Sequence, residues 1–359
     1  MQCDGGLMFI NGIGTAVPER RYTKAQCWDA FLASDWFTRL GPRAHALARG
    51  VLLRDNGIAS RHLALESLAE GFSIDPDTLQ SRYLRHAPAL AESAAVSAIE
   101  QSGLRVGQID AVVVSSCTGY LCPGLSGYVI ERLGLRKDVQ AFDLVGQGCA
   151  AALPNLRLAS ALLDSGQCRH VLSVCVEVCS AAMYLDEDPG VLISACLFGD
   201  GAGAMVLSRC PQEHVRRVEW LHAASLIEPE HREQLMFEQR AGLLRNILSR
   251  EVPALAAVHA EQVLNQALDQ ARAARGEIRA WIMHPGGRDV LQALQLQLHL
   301  QADELRYSTS VLRDYGNLSS ASVYFVMQEA LQQDAPSGKW WLSSFGAGFS
   351  CHGALLEVG

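Results

Sequence analysis

Short apolar runs broken by glycine recur along the chain. They predict buried strands that turn into helices. Residues 7–17, LMFINGIGTAV, read as a strand with a glycine turn, and residues 20–70 read as largely helical. Residues 86–102 are Ala-rich with the spacing of an amphipathic helix, and IDAVVVSSC (109–117) is a buried strand. A loop over 118–124 leads to a helix over 125–134. HVLSVCVEVCS (170–180) is a further buried strand, and the glycine turn at 198–203 runs into another. Beyond residue 210 the outline repeats: a strand (VEWLHAASL), a long helical stretch over 232–275, a strand, a helix and a closing pair of strands. The two halves end alike. GDGAGAMVLS (199–208) and FGAGFSCHGALLEV (345–358) both pass from a glycine turn through Ala into an apolar strand. The pattern predicts a duplicated α/β architecture with halves 1–208 and 209–359.

The stretch VQAFDLVGQGCAAALPNLRLASALLDS (139–165) concentrates this logic. A buried strand ends at Gly146 and Gly148, Cys149 follows at once, and a helix of Ala and Leu begins near Pro154. A thiol at a helix N-terminus feels the positive end of the helix dipole, which favours the reactive thiolate. The alternative is a small buried core cysteine. Partners for Cys149 decide between the two.

The second half supplies such partners. RAWIMHPGG (279–287) is a strand ending in His284 beside small residues, and DYGNLSSASV (314–323) holds Asn317 in a glycine-containing loop. Ser319 and Ser320 are placed to cap the helix that follows. Either polar residue alone reads as an ordinary turn residue. With Cys149 they make a nucleophilic set, in which a base and a second donor serve a thiol.

Composition narrows the partners. A formal net charge of −8 argues against nucleic acid or an anionic membrane, and no apolar run is long enough for a membrane span. The 11 cysteines lack metal-ligand spacing, and MQCDGGLMF lacks the features of a signal peptide. Free thiols in a reducing, cytoplasmic setting are expected. Gly12-x-Gly14 lacks the third glycine and the helix of a dinucleotide site, and DEDPG (186–190) reads as a solvated acidic turn.

GQGCAAALPNLRLA, WIMHPGGRDVL, YGNLSSASV and SFGAGF, in this order, resemble the type III polyketide synthases of the chalcone and stilbene synthase superfamily. The resemblance spans nearly the whole chain. It implies a thiolase fold, a duplicated αβαβα sandwich, and a cytoplasmic homodimer without metal or redox cofactor. Malonyl-CoA and an acyl-CoA starter are the implied substrates. Cys149 would carry the acyl chain, His284 and Asn317 would bind the thioester oxygen, and His284 as an imidazolium would hold Cys149 as a thiolate.

The resemblance also implies a set of cavity residues. Phe198 would be the aromatic gate between CoA tunnel and cavity. Phe345, Gly346, Ala347 and Gly348 would form the glycine-rich loop lining the site, with Ser319 nearby. Cys122 would stand where plant enzymes send a methionine into the partner's cavity. Arg49, Arg54 and Arg61 are candidates for CoA phosphates, in place of the lysine-rich plant tunnel mouth. Arg245 and Asn246 stand where plant enzymes have a second gate phenylalanine. These departures, the short chain and the loop style point to a bacterial-type member with a starter unlike that of plants. Two rival readings remain: a β-ketoacyl-ACP synthase III-like enzyme acting once, and a catalytically silent partner of an active synthase.

Overall fold

The computed structural model describes residues 7–359. Residues 1–6, which include part of the N-terminal stretch read above, lie outside the described residues. Strand β1 (Met8–Ala16) leads through β2 (Arg21–Thr23), helices α1 (Lys24–Leu32), α2 (Asp35–Arg39) and α3 (Pro42–Leu53), and β3 (Ser60–His62) to the 27-residue α4 (Pro76–Ser102). Asp75 caps α4 with a bond from Thr78 N, and Gly103 ends it in the left-handed region. Then follow β4 (Ala111–Ser115), α5 (Leu125–Leu133), β5 (Gln140–Leu144), α6 (Ala152–Asp164), β6 (His170–Glu177), α7 (Pro189–Leu197) and β7 (Gly201–Ser208).

The second half opens with β8 (Val218–Ile227). Next come the hairpin β9 (Leu235–Arg240) and β10 (Leu243–Leu248), α8 (Val252–Ala271), β11 (Ile278–Met283), α9 (Arg288–Gln297), α10 (Arg306–Tyr315), α11 (Ser322–Gln332), β12 (Gly338–Gly346) and β13 (Ser350–Val358).

The large sheet has the order β11-β12-β13-β8-β1-β7-β6-β4-β5. Its middle seam is the antiparallel pair β1–β8. Outward from the seam, β1-β7-β6-β4 and β8-β13-β12-β11 repeat one order. In each half an antiparallel pair (β6–β7, β12–β13) is followed by a parallel one (β4–β6, β11–β12). The stretches that read alike in sequence, 199–208 and 345–358, therefore carry equivalent strands, β7 and β13.

Three apolar clusters separate five layers. α4 and α5 cover one face of the first-half strands, and α8 and α9 cover one face of the second-half strands. α6 and α11, each with one buried apolar face, lie between the halves and touch strands of both. This is the αβαβα order that the resemblance implies.

Two sequence expectations are corrected. The stretch 232–275 is not one helix but the β9–β10 hairpin followed by α8. Ala241 and Gly242 have φ of 52° and 79°, and such a two-residue turn with both residues left-handed closes a hairpin. The stretch 20–70 is only partly helical, because β2 and β3 pair within it. Nine of the described cysteines are free thiols, as expected, whereas Cys210 is disulfide-bonded.

Candidate active site

Cys149 sits in a single 3-10 turn, Gly148–Ala150, immediately ahead of α6. The turn depends on two glycines. Gly148 has φ of 53° beside Ala347, and a Cβ on Gly346 would collide with the backbone at Ala150 and Gln147. The loop between β12 and β13 is thereby locked onto the cysteine turn.

His284 leaves the end of β11, with its N–H donating to Ser343 O at 2.9 Å. It is 1 % exposed, and Phe345 meets its ring edge-on at 5.0 Å. Neither ring nitrogen has a hydrogen-bond partner. Asn317 follows α10. Its Nδ2 donates to Gly286 O at 3.1 Å and its Oδ1 accepts from Ser319 N at 2.8 Å, which leaves one Nδ2 hydrogen free of these bonds. Asn317 and Phe198 also form a parallel backbone bridge, which ties the end of α7 to this loop.

Two cavities meet here. The outer one, of about 790 Å³, reaches Cys149, Phe198, His284, Asn317 and Phe345 at its floor. Its mouth carries Arg54, Arg250 and Arg288. The inner cavity is largely apolar and includes Met183, Phe237, Asn246, Ser319 and Ala347. Cys149, Phe198 and Leu235 line both. Phe198 thus lies at the junction, where the resemblance puts a gate.

Behind Cys149 is a polar cluster that the sequence did not reveal. Cys149 Sγ lies 3.4 Å from Ser319 Oγ, which donates to Glu177 Oε1 at 3.3 Å. Glu177, at the end of β6, is fully buried and also accepts from Cys117 N, Thr118 Oγ1 and Ser320 Oγ. Burial raises its pKa against these donors. The serines therefore serve Glu177, and α11 has no side-chain cap.

The electrostatics differ from the sequence expectation. Burial pushes the Cys149 thiol up to about 12, with the Ser319 hydrogen bond pulling the other way. Burial also holds His284 down to about 3. No hydrogen bond joins the two, and burial opposes the charged form of each.

Other sequence candidates fall apart spatially. Arg61 is 4 % exposed, and its guanidinium donates to Ala195 O at 2.8 Å and Phe198 O at 2.9 Å, so it braces the end of α7 and is withdrawn from CoA. Arg49 is exposed on α3 and is not part of the outer mouth, whereas Arg54 is. Arg250 and Arg288 at that mouth escaped the sequence reading. Cys122 is exposed and lines neither cavity. Gly348, with φ of 133°, shapes the loop without lining either cavity.

Residues 69–224 match the family described as FAE1/Type III polyketide synthase-like protein, and residues 222–357 match the chalcone and stilbene synthases, C-terminal domain. Together the two matches run from residue 69 to residue 357. The chain belongs to the type III polyketide synthases. The synthase is 28 % identical over 97 % of its length to a 3,5-dihydroxyphenylacetyl-CoA synthase of Streptomyces toyocaensis, covering 89 % of that protein. It is 29 % identical over 96 % of its length to a protein of the same name from Amycolatopsis orientalis, covering 92 % of it. Its fold matches the C-terminal type III polyketide synthase domain of Steely1, a hybrid from Dictyostelium. The TM-score is 0.89 at 23 % identity, with 98 % of this chain and 99 % of that one covered. It also matches PKS-I of the brown alga Ectocarpus siliculosus, with TM-score 0.88 at 24 % identity and full coverage of both. Among the described residues of the synthase no helix is long and apolar enough to cross a membrane.

Proposed function

We propose that the synthase extends an acyl chain held as a thioester on Cys149, using malonyl-CoA as the source of carbon. His284 carries the reading. A buried imidazole without partners costs free energy unless a ligand group completes it, and it faces the cavity that holds Cys149 and Asn317.

The chemistry follows from these groups. Cys149 sulfur attacks the starter thioester, its proton passes to the neutral His284, and coenzyme A leaves. The carbonyl oxygen of a malonyl thioester then takes hydrogen bonds from His284 and the free Nδ2 hydrogen of Asn317. As CO2 departs, the electron pair moves onto that oxygen, where fixed donors in a dry site stabilise the enolate most. The enolate carbon attacks the Cys149 thioester. The tetrahedral intermediate collapses with Cys149 as leaving group, which leaves the lengthened chain on coenzyme A. Cys149 sulfur then attacks that thioester, the bond to coenzyme A breaks, and the chain is back on the cysteine. Arg54, Arg250 and Arg288 provide charge for CoA phosphates at the outer mouth. No metal or redox group takes part in these steps.

The product class to test first is a dihydroxyphenylacetyl thioester, by similarity to the two named relatives. We also assign the division into halves at 208/209, a cytoplasmic location and a homodimer. The loop of Cys122 supports the dimer, because Tyr120 (72 % exposed) and Val145 (67 %) leave large apolar surface around it. A single monomeric species in sedimentation would overturn the dimer.

The test of the function is CO2 release from malonyl-CoA by the purified protein, with mass spectrometry of the products from a panel of acyl-CoA starters. A silent partner releases no CO2, and a single-step condensing enzyme stops after one extension. Repeated two-carbon extension is the expected result.

A further inference from the structure

The β9–β10 hairpin lies outside the nine-stranded sheet, yet Leu235, Met236 and Phe237 of β9 form one wall of the inner cavity. Another wall is α7, with Ser194 and Ala195, and its C-cap Phe198. Arg245 of β10 joins the two walls. Its side chain is only 11 % exposed. Nε donates to Asp186 Oδ2 at 2.8 Å, Nη2 lies 3.3 Å from Asp188 Oδ2, and Nη1 donates to Glu238 Oε1 at 3.1 Å. Asp188 is the cap of α7, accepting from Gly190 N and Val191 N. Glu238 lies opposite Arg245 on β9. Beside this cluster Asn246 Nδ2 donates to Ser194 Oγ at 3.1 Å. At Gly190 the walls approach so closely that a Cβ would collide with Leu248 O.

We propose that Arg245 is a positioning residue for polyketide length. It ties the helix cap of α7 to the hairpin and so fixes the width of the inner cavity. The proposal rests on the polyketide synthase reading. A guanidinium fork can hold several carboxylates in set directions, which a lysine cannot reproduce. Without the cation, Asp186, Asp188 and Glu238 face one another uncompensated across the two walls. Their repulsion moves the hairpin outward, since an isolated two-stranded hairpin has little stability of its own. The wider cavity then holds a longer chain before release.

The test compares full-length wild type, R245Q, R245K and E238Q. Three readouts are taken: CO2 release from malonyl-CoA, the ratio of longer to shorter products, and hydrogen exchange in β9–β10. R245Q is expected to release CO2 at a rate comparable to wild type, while its products shift toward longer chains by about tenfold, the selectivity a single methylene controls in a pocket. R245K and E238Q shift in the same direction by less. Raised salt returns R245Q toward the wild-type ratio, because it screens the carboxylates; a merely destabilised fold would not respond in this way.

A wild-type product ratio in R245Q overturns the clamp, whatever its melting temperature. Should R245Q not fold, wild-type ratios in both R245K and E238Q overturn it equally. If the wild type itself releases no CO2 and makes no polyketide, the synthase reading fails. Hydrogen exchange then still decides the clamp, which requires faster exchange in β9–β10 of the variants.

Discussion

The sulfur of Cys149 lies 3.4 Å from Ser319 Oγ and makes no hydrogen bond to His284. The nucleophile therefore rests against a serine, with its nearest buried charge on Glu177. Burial there disfavours the thiolate, and the serine hydrogen bond favours it.

In the unliganded enzyme, alkylation of the Cys149 peptide by iodoacetamide should climb through the alkaline range, since burial pushes its thiol up to about 12. H284A should leave this profile in place. S319A should move it further up, because the hydrogen bond that favours the thiolate is lost. A plateau near neutral pH that disappears in H284A would contradict this, and would mean that the imidazolium closes on the sulfur in solution.

His284 also predicts an acid dependence of stability. Its folded pKa is held down to about 3, against about 6.5 when unfolded. Between these values the unfolded chain binds the extra proton, so stability falls as pH drops below about 6.5, by up to about 1.4 kcal/mol per pH unit. Denaturant unfolding at neutral and mildly acid pH should show a steeper acid loss in wild type than in H284Q. Equal slopes would mean that the imidazole is hydrated or paired in solution.

Phe198 lies where the two cavities meet, and its side chain carries no hydrogen-bonding group. F198A should leave CO2 release from malonyl-CoA within a few-fold of wild type, and should change starter range or product distribution by about tenfold, the scale of a pocket contact. Unchanged products across several starters would remove its gating role.

What the sequence made legible was the chemistry borne by short motifs. Cys149 and Asn317 each follow an apolar element and a glycine, and His284 ends a strand just ahead of Gly286 and Gly287, and such signals are local. The equivalence of β7 and β13 was visible as well, because the glycine turn and the following apolar run recur intact. Glu177 was hidden because VCVEVCS reads simply as a buried strand, and its partners Cys117 and Ser320 come from segments 60 and 143 residues away. The β9–β10 hairpin was hidden because both its faces are half-buried, so the two-residue alternation that marks a strand is weak. Arg61 misled for the opposite reason. Arginine is seldom buried, and only the structure shows the Ala195 and Phe198 carbonyls that satisfy it.

The most direct measurement is peptide mass mapping after incubation with an acyl-CoA starter and malonyl-CoA. The account predicts the acyl chain on the peptide containing Cys149 in wild type. In N317A, where one oxyanion donor is gone, the starter should still load while CO2 release drops by about 10²- to 10³-fold. An acyl group on Cys117 or Cys179 with Cys149 free, or an N317A variant that releases CO2 at the wild-type rate, would contradict it.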